Sequence, residues 1–170
     1  VAVPNSLHPE ITLKCLEAGA HVLCEKPAAL NCEDALNMRD AARKYDRQLG
    51  VNHRFRFPLH EFQEKLAEGW IGQIYHARAS WTRSINDRGF GSWPGSKTIS
   101  GGGPRIDLGI HQIDLAMWLM GDPEPVAVSG SAHNEWAKRH GQETGLSYEV
   151  EDLATGHVRF ANGASLLFEF

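Results

Sequence analysis

The sequence is poor in cysteine and lacks any long apolar run, and each absence excludes a class of protein. The three cysteines, Cys15, Cys24 and Cys32, are odd in number and show no C-x-x-C spacing, so we expect unreactive buried thiols in place of disulfides or a zinc site. No stretch approaches the roughly eighteen apolar residues of a membrane helix, and no basic segment precedes an apolar one at the N-terminus. We therefore expect a cytoplasmic protein that does not insert into a membrane.

Basic charge is not in excess either. The formal net charge is −4 at pH 7, which gives no reason to expect a nucleic acid or an anionic lipid as partner. The 170 residues, of which 42% are hydrophobic and 22% charged, fit one or two ordinary globular domains. Residues 1–3 and 166–170 are both strand-like, which favours a chain whose two ends fall inside a fold.

Apolar runs alternate with helical periodicity in the first third of the sequence. Three such runs predict short strands, at residues 1–3, 21–24 and 48–53. Ser6 is placed to cap the first intervening helix, whose apolar side consists of Ile11, Cys15, Leu16 and Ala18. Asn31, three residues before Asp34, is placed to cap a second helix that ends near Tyr45. Strands that alternate with helices in this way indicate a parallel sheet.

Polar side chains follow each of the predicted strands. Because the carboxyl ends of parallel strands meet at one edge of a sheet, where ligands bind, we expect these side chains to form one rim: Asn5, Glu25, Lys26, Asn52, His53 and Arg54. Pro27 fixes the turn after Lys26, so the ammonium group would lie where a substrate binds. A lone lysine after a strand is, however, more often a solvated loop residue.

The pattern changes after residue 57 and predicts a second domain. Helical periodicity at 58–69 and β character at 74–81 are followed by three more strand candidates, at residues 125–131, 153–160 and 164–170, which favours an antiparallel or mixed sheet. The connection 82–100 has the length of a binding loop, and its polar side chains, which are equally typical of a solvated loop, are Arg83, Asn86, Arg88 and Lys97. The pattern assigns no element to 132–151. We place the domains at residues 1–56 and 57–170.

One helix, from Pro104 to the residue before Gly121, organises this second domain. The glycines at 101–103 give a flexible approach, Pro104 suits the first helical position and Gly121 suits the residue past the end. Its apolar stripe consists of Ile106, Ile110, Ile113 and Met117, and the adjoining stripe consists of Asp107, His111 and Asp114. An acid and a histidine are therefore predicted to stack one turn apart.

This pair has three interpretations. Spacing alone favours an ordinary contact between Asp107 and His111 that stabilises the helix by about 0.2–0.5 kcal/mol. The same two side chains could be half of a metal site, but no H-E-x-x-H motif or cysteine pair supplies the other ligands. The third interpretation is a catalytic histidine oriented by its helix, which requires support from elsewhere in the chain.

That support comes from a series of motifs in a fixed order. Pro4-Asn5-x-x-His8 is followed by Glu25-Lys26-Pro27, Arg54-Phe55 and Trp93, and then by the glycine triplet and the motif Asp107-x-Gly109-x-His111-x-x-Asp114. Together these motifs resemble the Gfo/Idh/MocA family of oxidoreductases over essentially the whole chain. The resemblance implies an α/β fold: the C-terminal half of a Rossmann parallel sheet, followed by an α/β (α+β) domain with a large open, mostly antiparallel sheet.

The resemblance also implies a function and a set of site residues. It implies NAD or NADP as cofactor, a sugar or polyol as substrate, and a homo-oligomer, dimeric or tetrameric, formed through the open sheet. The catalytic residues would be Lys26, His111 and Asp107, and the substrate would bind to Asn52, Arg54, Asp107 and His111. The cofactor would bind to Pro4, Asn5, His8, Glu25, Lys26, Pro27 and Trp93. The family often carries a Trp-Arg step at this last position, whereas Pro94 follows here.

These residue types suit the chemistry. Hydride removal from a carbinol carbon requires the hydroxyl proton to leave, and an imidazole with a pKa near 6.5 accepts a proton near neutral pH. Lys26 as an ammonium would hydrogen-bond the same oxygen and stabilise its developing negative charge. Which of Lys26 and His111 is the principal base stays open at this point.

The main departure from the family is that no G-x-G-x-x-G motif follows a strand in this sequence. Gly89-Phe90-Gly91-Ser92-Trp93-Pro94 lacks the third glycine and the strand before it. Three hypotheses follow: a piece of a complete oxidoreductase, which we favour; a non-catalytic interaction module that has lost cofactor binding; and an unrelated metal-dependent enzyme that uses Asp107 and His111.

Overall fold

The first part of the chain folds as alternating helices and strands, as its apolar runs predict. The computed structural model describes residues 1–83 and 89–170. A 3₁₀ turn at Asn5–Leu7 leads into the first four regular elements, which are α1 (His8–Glu17), β1 (Val22–Cys24), α2 (Cys32–Lys44) and β2 (Leu49–Val51). Strands β1 and β2 pair in parallel. The Asn31 side chain accepts a hydrogen bond from the Asp34 backbone N–H at 2.8 Å, which confirms the predicted cap of α2.

The buried face of α1 differs from the predicted one. The helix buries His8, Thr12 and Leu16, and a core cluster forms from Leu16, Val22, Cys24, Met38 and Ala42. The periodicity of apolar residues did not predict that the polar residues His8 and Thr12 face the core. His8 can be buried because its ring nitrogens lie within hydrogen-bond distance of two carbonyl oxygens, those of Pro27 at 2.7 Å and Val3 at 2.9 Å. The prediction that Ser6 caps α1 is wrong, since the helix begins at His8 directly after the 3₁₀ turn.

The predicted strand at residues 1–3 is not formed as a regular strand. Val1 lies beside β1, with its amino group donating to the Leu23 carbonyl at 2.7 Å and its carbonyl accepting from the Glu25 N–H at 2.9 Å. The pairing does not continue because the carbonyl of Val3 is engaged by the ring of His8 and the chain then turns into the 3₁₀ segment. Val1 therefore extends the parallel sheet by one residue pair only.

The second part of the chain contains a four-stranded mixed sheet. A 3₁₀ turn at Phe57–Leu59 precedes the remaining elements, which in chain order are α3 (His60–Ala67), β3 (His76–Ser80), α4 (Lys97–Ser100), α5 (Ile110–Leu119), β4 (Pro125–His133), α6 (Trp136–Thr144), β5 (Leu153–Phe160) and β6 (Ser165–Glu169). The strand order is β3-β6-β5-β4, with β3 and β6 parallel and the other two pairs antiparallel. The turn at 161–163 joins β5 to β6, as predicted.

One face of this sheet is covered by α5. The core on that face consists of Ala79, Phe160, Ala164, Leu166 and Phe170, and α5 contributes Ile113, Ala116, Met117 and Met120. The predicted apolar stripe began at Ile106, but Ile106 lines a cavity described below. The residues that pack against the core therefore lie nearer the C-terminal end of the helix than predicted. At its N-terminal end, α5 places His111 against Phe55 of the first part of the chain.

Two predictions for this region need correction. The helix that carries Asp107 and His111 is not α-helical throughout, because Arg105–Gly109 form a π-helical turn before α5 begins. Residues 132–151, to which the sequence assigned no element, contain α6. Of the polar residues noted in the long connection, Asn86 and Arg88 lie outside the described residues. The loop also contains a 3₁₀ turn at Trp93–Gly95 and the short helix α4.

The fold is therefore a mixed α/β structure, with a small parallel sheet followed by a mostly antiparallel four-stranded sheet. None of the helices in the described part of the chain has the length and apolar character needed to cross a bilayer.

Candidate active site

A cavity of about 550 Å³ lies between the carboxyl end of β1 and the second part of the chain. A volume of this size is typical of a small-molecule site. Seven of the residues singled out in the sequence line it, namely Asn5, His8, Glu25, Lys26, Arg83, Trp93 and Asp107. Among the described residues, the walls do not include Pro4, Pro27, Asn52, Arg54 or His111.

Lys26 and Asp107 meet at the wall of this cavity. The Lys26 ammonium nitrogen donates to the Asp107 backbone carbonyl at 2.6 Å and to its carboxylate Oδ1 at 2.8 Å. The Lys26 side chain is 16% exposed and the Asp107 side chain 58% exposed. An ammonium carries three N–H donors, so one remains for a bound molecule. Asp107 lies in the π-helical turn, a form of helix that is frequent at functional sites.

His111 lies behind this pair and is only 6% exposed. The ring of Phe55 packs edge-on against the imidazole, with centroids 5.1 Å apart. Burial, together with the nearby positive charges of Lys26 and Arg54, lowers the pKa of His111 to about 4. Its Nδ1 has no hydrogen-bond partner among the residues that the structure describes. His111 is therefore a neutral imidazole at neutral pH, with a ring nitrogen uncommitted to the protein.

This lowered pKa predicts how stability depends on pH. In the unfolded chain a histidine takes up a proton near pH 6.5, whereas folded His111 does so only near its pKa of about 4. As the pH falls through this window, the unfolded state binds a proton that the native state excludes, so the free energy of unfolding is expected to decrease and to level off below about pH 4.

Urea denaturation at a series of pH values measures this slope. His111→Gln should flatten it, while His133→Gln, a change at an exposed position at the end of β4, should leave it as it was. An unchanged slope in the His111 variant would assign the pH dependence to other groups.

Within the predicted rim, Asn52 and Glu25 are joined to each other, whereas Asn5 contacts the second part of the chain. The Asn52 side-chain N–H donates to Glu25 Oε1 at 2.6 Å, and the Asn5 side-chain N–H donates to the Ser100 carbonyl at 2.8 Å. Asn5 thus joins the edge of the first sheet to the end of α4. The guanidinium of Arg54 lies over the Phe55 ring at 5.0 Å.

The glycine triplet before the helix packs tightly, so the predicted flexible approach is wrong. Gly102 and Gly103 are buried. A Cβ atom on Gly103 would lie 1.9 Å from the carbonyl oxygen of Glu151, and one on Gly101, which has φ +85°, would lie 2.6 Å from the Leu30 side chain. Only glycine permits this close approach, which fixes the entry to the π-helical turn that carries Asp107.

Part of the cavity wall is aromatic, which was not predicted from the sequence. Phe90 stacks on Tyr148, with centroids 4.6 Å apart, and contacts Trp136 edge-on at 5.9 Å. Burial and the carboxylates of Glu151, Asp152 and Asp107 raise the pKa of Tyr148 to about 12, so its hydroxyl stays protonated. Two of these rings come from 132–151, where large aromatic residues within a polar stretch were the available signal.

A second ion-paired group lies next to His111 and was also missed. Asp114 accepts a hydrogen bond from Arg56 Nε at 2.8 Å and a second from the same guanidinium, and it lies 3.3 Å from His53 Nδ1. The sequence had placed Asp114 on the stripe of His111 but gave it no partner. Within residues 1–83 and 89–170, no three histidine, cysteine or acidic side chains are grouped so that they could hold a metal ion.

Comparison with known proteins accounts for both parts of the chain. Residues 1–53 match a family model described as an oxidoreductase family with a NAD-binding Rossmann fold, and residues 59–170 match the GFO/IDH/MocA C-terminal domain. A NAD-binding Rossmann unit followed by this C-terminal domain defines a class of oxidoreductases. The chain belongs to the Gfo/Idh/MocA family.

Individual relatives are similar over the whole chain. D-glucoside 3-dehydrogenase of Escherichia coli K12 is 37% identical, covering 99% of this chain and 50% of the relative. The aldose-aldose oxidoreductase of Caulobacter crescentus, solved with glycerol, superposes with a TM-score of 0.82 at 29% identity, covering 99% of this chain and 48% of that one. Levoglucosan dehydrogenase, solved with NADH and levoglucosan, gives a TM-score of 0.82 at 28% identity, with 99% and 46% covered. The chain spans about half the length of the curated relatives it matches.

Proposed function

We propose that this chain carries the catalytic residues of a NAD(P)-dependent oxidoreductase that transfers a hydride between a nicotinamide and the hydroxyl or keto group of a sugar or polyol. The observation that carries the proposal is the Lys26–Asp107 pair on the wall of the cavity, with the neutral imidazole of His111 behind it. We propose the division of the chain at residues 1–56 and 57–170, which the separate family matches to 1–53 and 59–170 support.

The residues present fit the nicotinamide end of the cofactor. Asn5, Glu25 and Trp93 line the cavity at the carboxyl edge of the parallel sheet, where a Rossmann unit binds its dinucleotide. Pro4 and Pro27 would shape this edge, and His8 would support it from beneath through the carbonyls of Val3 and Pro27. A bound nicotinamide supplies the acceptor or donor of the hydride.

The protein's own residues would manage the substrate oxygen. Lys26 would donate its third N–H to that oxygen, and Asp107 would hold the ammonium in place through the two bonds seen. His111 would take up the hydroxyl proton because its imidazole is neutral at physiological pH; its pKa of about 4 makes it a weaker base than a free histidine with a pKa near 6.5. We assign it the principal base because the ammonium of Lys26 is already held by two acceptors. Asn52 and Arg54 do not line the cavity, and they would act on the substrate site through Glu25 and Phe55, which they contact.

The test of the proposed function is a titration of the purified chain with NADH and NADPH. Energy transfer from tryptophan to nicotinamide reports binding, because Trp81, Trp93 and Trp136 all line the cavity. Saturable binding is the expected result for this chain, and turnover with unmodified sugars or polyols is expected of an active polypeptide that contains this sequence. Turnover with none of these substrates in a cofactor-binding polypeptide would overturn the assignment.

Tyr148 tests the placement of the substrate. Its hydroxyl is protonated at neutral pH and faces the same cavity as Asp107, so it is suited to donate a hydrogen bond to a sugar hydroxyl. Tyr148→Phe is expected to raise KM for the sugar by about two- to tenfold with little change in kcat, the effect of one neutral hydrogen bond. Tyr75→Phe, at a side chain 77% exposed, is the matched control. An unchanged KM would remove Tyr148 from the substrate site.

We propose further that the protein is a cytoplasmic homo-oligomer. The three cysteines are free thiols, which suits a reducing compartment. Strand β4 is exposed along most of its length, including Val126 at 59% and Val128 at 71%, and such an apolar edge favours pairing with a second copy. Light scattering at micromolar concentration is expected to give a dimer or tetramer, and a monomeric mass would contradict it.

A further inference from the structure

In the ion pair between Asp114 and Arg56, the carboxylate is largely shielded from water, whereas the Arg56 side chain is 37% exposed. The Asp114 side chain is 12% exposed, against 59% for Asp40 in its surface pair with Arg39. Both carboxylate oxygens of Asp114 are engaged by the Arg56 guanidinium, which also lies 5.7 Å over the Trp118 ring. A bidentate pair at a shielded position defines one geometry, unlike a solvated surface pair.

The short segment 53–56 contacts α5 at two points one turn apart. His53 and Arg56 approach Asp114, whereas Phe55 between them packs against the ring of His111. Asp114 and His111 are separated by three residues on α5, so they lie on one side of the helix. Segment 53–56 therefore packs against the side of α5 that carries His111.

The other end of this segment is fixed to the strand that leads to Lys26. The Asn52 backbone N–H donates to the Cys24 carbonyl at 2.8 Å, and the Asn52 side chain donates to Glu25. Lys26 directly follows Glu25. The chain from Asn52 to Arg56 thus connects the position of Lys26 with that of α5.

We propose that Asp114 is a positioning residue of the catalytic centre: by binding Arg56, it holds α5 against segment 52–56 and so fixes the position of His111 relative to Lys26. The inference rests on the proposed roles of His111 and Lys26. Asp114 itself does not line the cavity and acts only through its neighbours.

The experiment follows the His111 imidazole by NMR during a pH titration of the isotope-labelled chain. The charged groups that face His111 are Lys26, Arg54, His53 and Asp107, and Asp114→Asn alters the chemistry of none of them. If Asp114 positions the helix, its removal admits water to His111, and the pH at which His111 takes up a proton should rise by about 1 towards the ordinary value of 6.5. Asp40→Asn removes a carboxylate from the exposed pair with Arg39 and should leave the pH at which His111 takes up a proton unchanged.

A milder variant covers the case in which Asp114→Asn does not fold. Arg56→Lys keeps the charge but loses the bidentate geometry, and a smaller shift of His111 in the same direction is expected. A folded variant at either position in which the His111 resonances and midpoint match the unaltered protein would overturn the proposal, as would an equal shift in Asp40→Asn. Because NMR needs no cofactor, this result stands apart from the proposed function, whose failure would show as full turnover in a His111 variant.

Discussion

Replacing His111 with alanine is expected to lower kcat by about 10²–10⁴-fold while cofactor affinity stays nearly constant. The reason is that the proposed base is the His111 imidazole, which is neutral and buried and does not line the cavity. Loss of the base slows proton removal from the substrate hydroxyl without removing a group that contacts the nicotinamide. Steady-state kinetics in an active polypeptide that contains this sequence, with NADH titration of the same sample, measures both quantities.

A matched histidine separates the chemical effect from a general loss of structure. His133 is exposed at the end of β4 and its own side chain does not line the cavity, so His133→Ala should retain full turnover. If His111→Ala also retains near-normal turnover, His111 has no part in the mechanism, and Lys26 must move the proton.

Gly103→Ala is expected to destabilise the protein by more than about 3 kcal/mol, a loss at the upper end for a single substitution. The new Cβ would meet the Glu151 carbonyl oxygen at 1.9 Å, and because that oxygen belongs to the backbone it cannot rotate away. Either the chain before β5 or the entry to the π-helical turn must move. We expect Asp107 to lose its contact with Lys26 in the variant.

Urea denaturation of Gly103→Ala beside Gly50→Ala measures this effect. A Cβ on Gly50 meets only Leu23 Cδ1, at 3.5 Å, which is an ordinary contact between β2 and β1. Both variants add the same methyl group, and they differ in the space that the surrounding atoms leave for it. Similar stability of the two variants would mean that the backbone at Glu151 moves at little cost in free energy and that the glycine triplet has no packing role.

The sequence was informative wherever a local signal was sufficient. The Asn31 cap, the parallel pairing of β1 and β2 and the turn at 161–163 depend on residues close together in the chain, and the structure contains them. Spacing alone did not predict a site at Lys26, Asp107 and His111, because it favoured an ordinary helix contact. Only the family motifs indicated a site there.

Features that depend on distant partners could not be predicted. His8 reads as a polar residue that should face water, and it is fully buried because two carbonyl oxygens lie within reach of its ring. The π-helical turn at Arg105–Gly109 has the same periodicity signal as an α-helix in so short a segment. Arg56 and Asp114 are 58 residues apart, and each alone resembles a solvated charge.

The contacts that assemble the cavity also determine when in folding it can exist. Asn5 and Ser100 are 95 residues apart in the chain, and Lys26 and Asp107 are 81 apart. Closing loops of this length costs entropy that local elements do not repay, so such contacts form late. Both halves must fold before Lys26 reaches Asp107, and the appearance of cofactor-dependent energy transfer during refolding should follow the return of helical signal with a delay.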